Sequence, residues 1–253
     1  MQVINDFSYR QDGRKADEFR QIDAKIGTLS QPDGSATWSQ GNCKLLVAVY
    51  GPRECRSNRG SYKDKASVKC EYRRPVSVFS EKKKRNRSDR MSNDNELYIK
   101  HLFESVLLTN LYPASQIEII VEVMQSDGSE LTMAINAICL ALIDATIPMK
   151  DVVSAVTVGY ANNELFVNPT QTELYASDMI LEFAMLITSE TVMHLHMTGT
   201  TDCSKLQNIM NYASKKCLEM YEKVGNVARN YTQRCISLKN FADEETAEKS
   251  LIE

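Results

Sequence analysis

The sequence predicts an α+β domain built from two βαβ-type halves. Short apolar runs alternate with a two-residue period, as in Ile117, Ile119, Val121 and Val123. Two long stretches carry apolar residues at helical spacing, Leu131–Leu142 and Leu206–Val224. The strand–helix order of the first half is replayed in the second.

In chain order, residues 1–9 read as a flexible tail, 10–235 as the domain and 236–253 as a charged tail. Arg10-Gln11-Asp12-Gly13-Arg14 reads as a polar turn that ties down the N-terminus. A strand over Ile22–Leu29 leads to Gln31-Pro32-Asp33-Gly34-Ser35, a turn because proline fixes φ and glycine accepts φ > 0. Strands follow at Ala36–Gln40 and Lys44–Tyr50, and Trp38, the only tryptophan, reads as a packing residue. A polar loop spans Arg53–Asp64, then a strand Ala66–Tyr72, then a basic loop over 73–95. Asp94–Tyr112 is expected to be helical, with Leu97, His101, Val106, Leu107 and Leu111 near one face and Pro113 closing it. The strand Gln116–Met124 turns at Asp127-Gly128-Ser129 into a helix over Glu130–Ala145. Its stripe is Leu131, Ile135, Ile138 and Leu142; the near absence of charge makes it central, covered on both faces. In the second half, strands are expected at Val152–Gly159, Glu164–Val167, Met179–Ile187 and Val192–Met197, then a helix over Ser204–Gln233.

Composition excludes several classes. No apolar run approaches a membrane-spanning length, and the start is too polar for a secretory signal. Seven scattered cysteines without a C-x-x-C pair read as reduced thiols, neither a disulfide framework nor a zinc site. His194 and His196 share a strand face but lack an evident third ligand, so no metal or cofactor is expected. The net charge of −3 hides an asymmetry. Arg53–Arg90 holds fourteen Lys or Arg against five Asp or Glu, leaving +9 there and −12 elsewhere. A single concentrated basic region points to a polyanion as partner.

Q-S-D-G-S-E-L-T-M-A-I-N-A followed by A-L-I-D-A-T-I-P-M is similar to the Q-A-D-G-G-T-R-T-A-x-x-N-A and A-L-x-D-A-G-I-P-M of the RNase PH family. P-D-G-S-A-T-W-S-Q-G-N-C-K-L-L-V-A-V-Y-G-P resembles its D-G-S…V-Y-G-P stretch, and Arg10–Arg14 its R-x-D-G-R start. The resemblance covers about 10–234 and implies the RNase PH fold, related to the S5 domain 2-like architecture. It also implies RNA as partner and, as in eukaryotic exosomes, a hetero-hexameric ring of RNase PH-like subunits. A component nine-type neighbour and S1/KH cap subunits belong to that picture, without a membrane, in nucleus, nucleolus and cytoplasm.

The resemblance also locates chemistry. Family members bind phosphate through the arginine of Q-A-D-G-G-T-R; Leu131 stands at its place, with neither charge nor donor. Active members carry two aspartates in V-E-D-x-x-x-x-x-D-M. Asp178 before Met179 matches the second, while Thr172 or Leu174 stands at the first, with Glu173 adjacent. These losses lead to an expectation that Asp178 is vestigial and that the chain is not an enzyme but a guide for RNA. A phosphate-dependent 3′→5′ exoribonuclease using Asp178, and Glu173 with it, is the alternative. A structural subunit whose basic loop is an import or docking signal is a further one. RNA contacts are expected from Arg56, Arg59, Lys82, Lys83, Lys84, Arg85, Arg87 and Arg90, the last matching the first arginine of a family D-R-R or D-R-K step that Met91 does not complete.

Overall fold

The structure, a computed structural model, describes residues 9–54, 64–75, 90–161 and 164–250, the last twelve for the backbone alone. Two sheets face a central helix. The first contains β1 (Ile22–Ile26), β2 (Gly34–Gln40), β3 (Cys43–Glu54), β4 (Ser67–Arg73) and β5 (Ser115–Gln125), in the order β1-β2-β3-β5-β4. β4 and β5 pair in parallel across helix α1 (Arg90–Val106), the one βαβ crossover among the described residues; the other pairs are antiparallel. After helix α2 (Glu130–Asp144) come β6 (Val153–Ala161), β7 (Glu164–Val167), the short helix α3 (Gln171–Ala176), β8 (Met179–Leu186), β9 (Val192–Gly199) and helix α4 (Cys203–Ser250). The second sheet is antiparallel, in the order β7-β6-β8-β9.

α2 is central, as its lack of charge predicts: every residue from Glu130 to Leu142 is buried. Gly34 lets it approach β2, since a Cβ there would lie 2.3 Å from the Ala141 carbonyl oxygen. On the opposite side Asn136 bridges to β6. Its Nδ2 donates to the Ala155 carbonyl at 2.9 Å, and its Oδ1 accepts from the Ala155 amide at 2.9 Å. The far end is held by Asp144, which accepts from the Ser35 amide at 2.9 Å and the Tyr231 hydroxyl at 2.7 Å. One helix therefore fixes the relation of the two sheets.

Two helices differ from expectation. α1 starts at Arg90 and buries Ile99, Leu102, Phe103 and Val106, a regular i, i+3, i+4, i+7 stripe. Leu97 and His101 lie on the uncovered face of α1, and Leu111 is exposed because the chain leaves the helix after Val106 and takes a 3-10 turn over Thr109–Leu111. α4 runs to Ser250, beyond Gln233, through a segment without proline or glycine and rich in Ala, Glu and Lys. Ile209 joins Ala213, Cys217, Met220 and Val224 in its buried stripe, while Leu206 and Met210 are half-buried.

Candidate functional site

The turn between β5 and α2 is shaped by two left-handed residues, Gly128 at φ +83° and Ser129 at φ 59°. A Cβ on Gly128 would lie 2.9 Å from the Pro169 carbonyl oxygen, so this position needs glycine. Arg20 clamps the turn from below. Its Nη1 donates to the Asp127 carbonyl at 3.0 Å and its Nη2 to the Pro169 carbonyl at 3.1 Å, while Nε reaches Asn168 Oδ1. Burial lowers the Arg20 pKa and Asp127 works against it; five donors on one buried fork hold three chain segments together.

Above the turn, Glu130 opens α2, where the helix dipole favours a negative charge. Its carboxylate accepts from Arg74 Nη2 at 2.9 Å, from the Tyr72 hydroxyl at 3.2 Å and from Ser126 Oγ. Both sides of the Arg74–Glu130 ion pair are nearly enclosed. Burial, then the Glu130 charge, pushes the Tyr72 phenol well above its ordinary value, so it stays a donor. From the second sheet, Thr157 on β6 bridges Oγ1 to Oγ1 with Thr132 of α2 at 2.8 Å. Glu182 of β8 is its cross-strand partner, standing on the same sheet face beside the first turn of α2. Burial and then Glu130 raise the Glu182 carboxyl to about 7.

The expected site residues are distributed as follows. Leu131 is 2% exposed and part of the apolar core. Asp178 is exposed just before β8. Its amide donates to the Tyr160 carbonyl at 3.0 Å, and its carbonyl accepts from the Thr200 amide at 3.2 Å. Together with Tyr160, Thr200, Thr201, Asp202 and Lys205 it lines a cavity of about 330 Å³. Asp178 and Glu182 are four residues apart, about 13 Å at strand rise. Thr172 and Leu174 lie in α3; Thr170 caps this helix reciprocally with Glu173. Glu173 is buried against Arg10, whose Nε donates to its Oε1 at 2.8 Å. Arg10 Nη1 reaches the Val167 carbonyl at 2.6 Å, and the guanidinium lies 5.1 Å from the Phe166 ring centre. The polar-turn reading of Arg10–Arg14 is borne out. Arg90, 96% exposed at its side chain, opens α1 with Nε 3.8 Å from Asp94. Arg56, Arg59, Lys82, Lys83, Lys84, Arg85 and Arg87 lie outside the described residues. His194 and His196 share a face as predicted, and among the described residues no group of three or more His, Cys, Asp or Glu could hold a metal ion.

Sequence reasoning missed Arg20, Arg74, Glu130 and Glu182. Arg20 and Arg74 lie in stretches with no periodic signal. Glu182 had one: a carboxylate inside the alternating apolar run Met179, Leu181, Phe183.

A buried helix set between two sheets, opening on a turn where a guanidinium, two carboxyls and a phenol converge, defines a class. The chain belongs to the 3′ exoribonuclease (RNase PH) family, matching domain 1 over residues 18–148 and domain 2 over 151–216. It is 35% identical over 234 residues to exosome complex component RRP41 of Homo sapiens, covering 92% of this chain and 96% of that one. It is 36% identical over 217 residues to exosome complex component Rrp41 of Archaeoglobus fulgidus, covering 84% and 83%. Among solved structures, rice Rrp46 aligns with TM-score 0.74 at 24% identity, covering 87% of this chain and 98% of that one. The Archaeoglobus fulgidus exosome with RNA bound to the active site aligns with TM-score 0.72 at 18% identity, covering 86% and 93%. The RNase PH fold is thereby established.

The expectation that the chain is not an enzyme is overturned by these matches. Both halves match exoribonuclease domains, and the relatives near 35% identity are Rrp41 components from human and archaeon alike. The physical reason lies in how charge was counted. Loss was inferred from positions 131 and 172–174, whereas Arg74 places a guanidinium at the same helix start, with Glu130 and Glu182 beside it.

Proposed function

We propose that this chain is a ring subunit of an RNA exosome and removes nucleotides from RNA 3′ ends, with inorganic phosphate as the attacking group. The observation that carries the reading is the Arg74–Glu130 pair at the start of α2, where helix amides and a guanidinium converge. A phosphate arriving there would exchange with the Glu130 carboxylate on Arg74, gaining the dipole and the charge-assisted bond. Attack on the last phosphodiester breaks the bond to the 3′ oxygen and releases a nucleoside diphosphate. Asp178 lies just before the facing strand and Glu182 on it, and Glu182, with its carboxyl raised to about 7, is the one suited to protonate the leaving oxygen.

The ring would be a hetero-hexamer with RNase PH-like neighbours, one of the component nine type, carrying S1/KH caps. It would serve RNA processing, rRNA maturation and mRNA decay in nucleus, nucleolus and cytoplasm. Arg56, Arg59, Lys82–Arg85, Arg87 and Arg90 would hold RNA through its phosphates, giving salt-sensitive binding with little sequence preference. The test is to incubate the purified ring with single-stranded RNA, with and without phosphate. Nucleoside diphosphates are expected only with phosphate; RNA left intact in both would overturn the reading.

A further inference from the structure

Three rings cluster on the sheet face that carries Glu182. Tyr98 of α1 lies over β9, its ring centre 4.9 Å from that of His194 and 5.9 Å from that of His196. The two imidazoles are 6.4 Å apart and nearly parallel, at 22°. Tyr98 and His196 are exposed, and His194 is half-buried. An aromatic cluster that served only the core would be covered; this one reaches the surface at Tyr98 and His196. One polar atom is also unserved: His194 Nε2 is buried and finds no hydrogen-bond partner among the described residues. His196 Nε2, by contrast, lies 3.3 Å from Thr198 Oγ1.

The surroundings narrow the ligand. His196 is the cross-strand partner of Glu182, which places the cluster beside the first turn of α2 and the Arg74–Glu130 pair. Arg90 stands eight residues back along α1, about 12 Å at helical rise, with its guanidinium in solvent. Burial, then His196, lowers the His194 pKa, and Glu182 is raised to about 7. Near neutral pH the His194 ring is therefore uncharged, and the neighbouring Glu182 carboxyl is not fully ionised. Flat rings beside cations suit the bases of a polyanion.

We propose that Tyr98, His194 and His196 form a stacking platform for the bases of single-stranded RNA entering the site at the start of α2. The proposal rests on the reading of the chain as an RNA-processing subunit, and adds a non-ionic contact to the phosphate contacts invoked there. Every base has a π-face, so the platform tolerates any sequence.

The test measures binding of a fluorescent single-stranded oligoadenylate to the full chain, alone and in the assembled ring, over a range of salt. Tyr98→Leu is expected to weaken binding about tenfold at every salt concentration, the scale of one lost base stack. The slope of log affinity against log salt should stay unchanged, because no phosphate contact is removed. Tyr98→Phe should bind as the wild type, which separates loss of a ring from a folding defect. Arg90→Glu should instead make the slope shallower. Unchanged affinity in both Tyr98→Leu and His196→Ala would overturn the platform. So would RNA affinity that persists in Tyr98→Leu while that variant falls out of the ring, since the rings would then face a protein neighbour. A wild-type chain and ring that bind no RNA would instead refute the underlying functional reading.

Discussion

Removing Arg10 should cost far more than its place near the N-terminus suggests. The side chain is 1% exposed and is pinned by Glu173, by the Val167 carbonyl at 2.6 Å and by the Asn168 carbonyl at 3.2 Å. Arg10→Met leaves a buried carboxylate facing two carbonyl oxygens whose donors are gone. Breaking one side of a buried pair costs about 3–5 kcal/mol. At about 2–4 °C per kcal/mol for a chain of this size, the midpoint should fall by roughly 6–20 °C. Chemical denaturation gives the free energy directly. The double variant Arg10→Met/Glu173→Leu should recover most of the loss, because it removes the stranded charge along with its partner.

The pH dependence gives an independent check. Burial pushes the Glu173 carboxyl up, but the hydrogen bonds from Arg10 and the Thr170 amide prevail, leaving its pKa below the ordinary value. The unfolded chain then binds more protons, so the stabilisation is present above about pH 4.3 and is lost as pH falls through the folded pKa. In Arg10→Met the burial effect is opposed only by the remaining amide and Arg14, and this part of the acid limb should flatten or invert. A single variant within about 1 kcal/mol of wild type, or a double variant no better than the single, would refute the reasoning.

Three further predictions concern the central helix and its surroundings. Asn136→Leu strips both partners from the Ala155 amide and carbonyl and should cost about 2–4 kcal/mol, read by urea denaturation; a loss under about 1 kcal/mol would mean β6 finds other partners. Glu182, with its carboxyl raised to about 7, stabilises the fold fully below the unfolded pKa and loses that contribution as pH rises towards 7. Glu182→Gln should therefore gain about 2 kcal/mol relative to wild type between pH 5 and pH 8, and parallel stability curves would disprove the shift. Gly34→Ala forces a methyl to 2.3 Å from the Ala141 carbonyl oxygen and 2.5 Å from the Ala145 amide nitrogen, both backbone. Because neither yields cheaply, a loss of about 2–4 kcal/mol is expected by thermal unfolding, and an unperturbed midpoint would show that α2 sits further from β2.

What the sequence discloses here follows from the range of the interactions involved. Ile117, Ile119, Val121 and Val123 announce β5 because alternation is local, and the uncharged run after Glu130 announces a helix enclosed on both faces for the same reason. The α1 stripe is ambiguous in the sequence because Leu97 and His101 fit a helical period as well as Ile99 and Phe103 do, and only β4 and β5 decide which face is covered. The chemistry of the site is less local still. Arg20 reaches Asp127 across 107 positions, Arg74 reaches Glu130 across 56, and Arg10 reaches Glu173 across 163. None of these pairings leaves a mark on its own neighbourhood in the chain. Comparison with a family motif exposed the leucine at 131, yet could not show that a guanidinium returns from the end of β4 to the same helix start. A fold built around one buried helix can move a charge from that helix to the strand beside it and keep it over the same turn. Aligned positions alone therefore count the group missing at Leu131 and overlook the Arg74 guanidinium over the same turn.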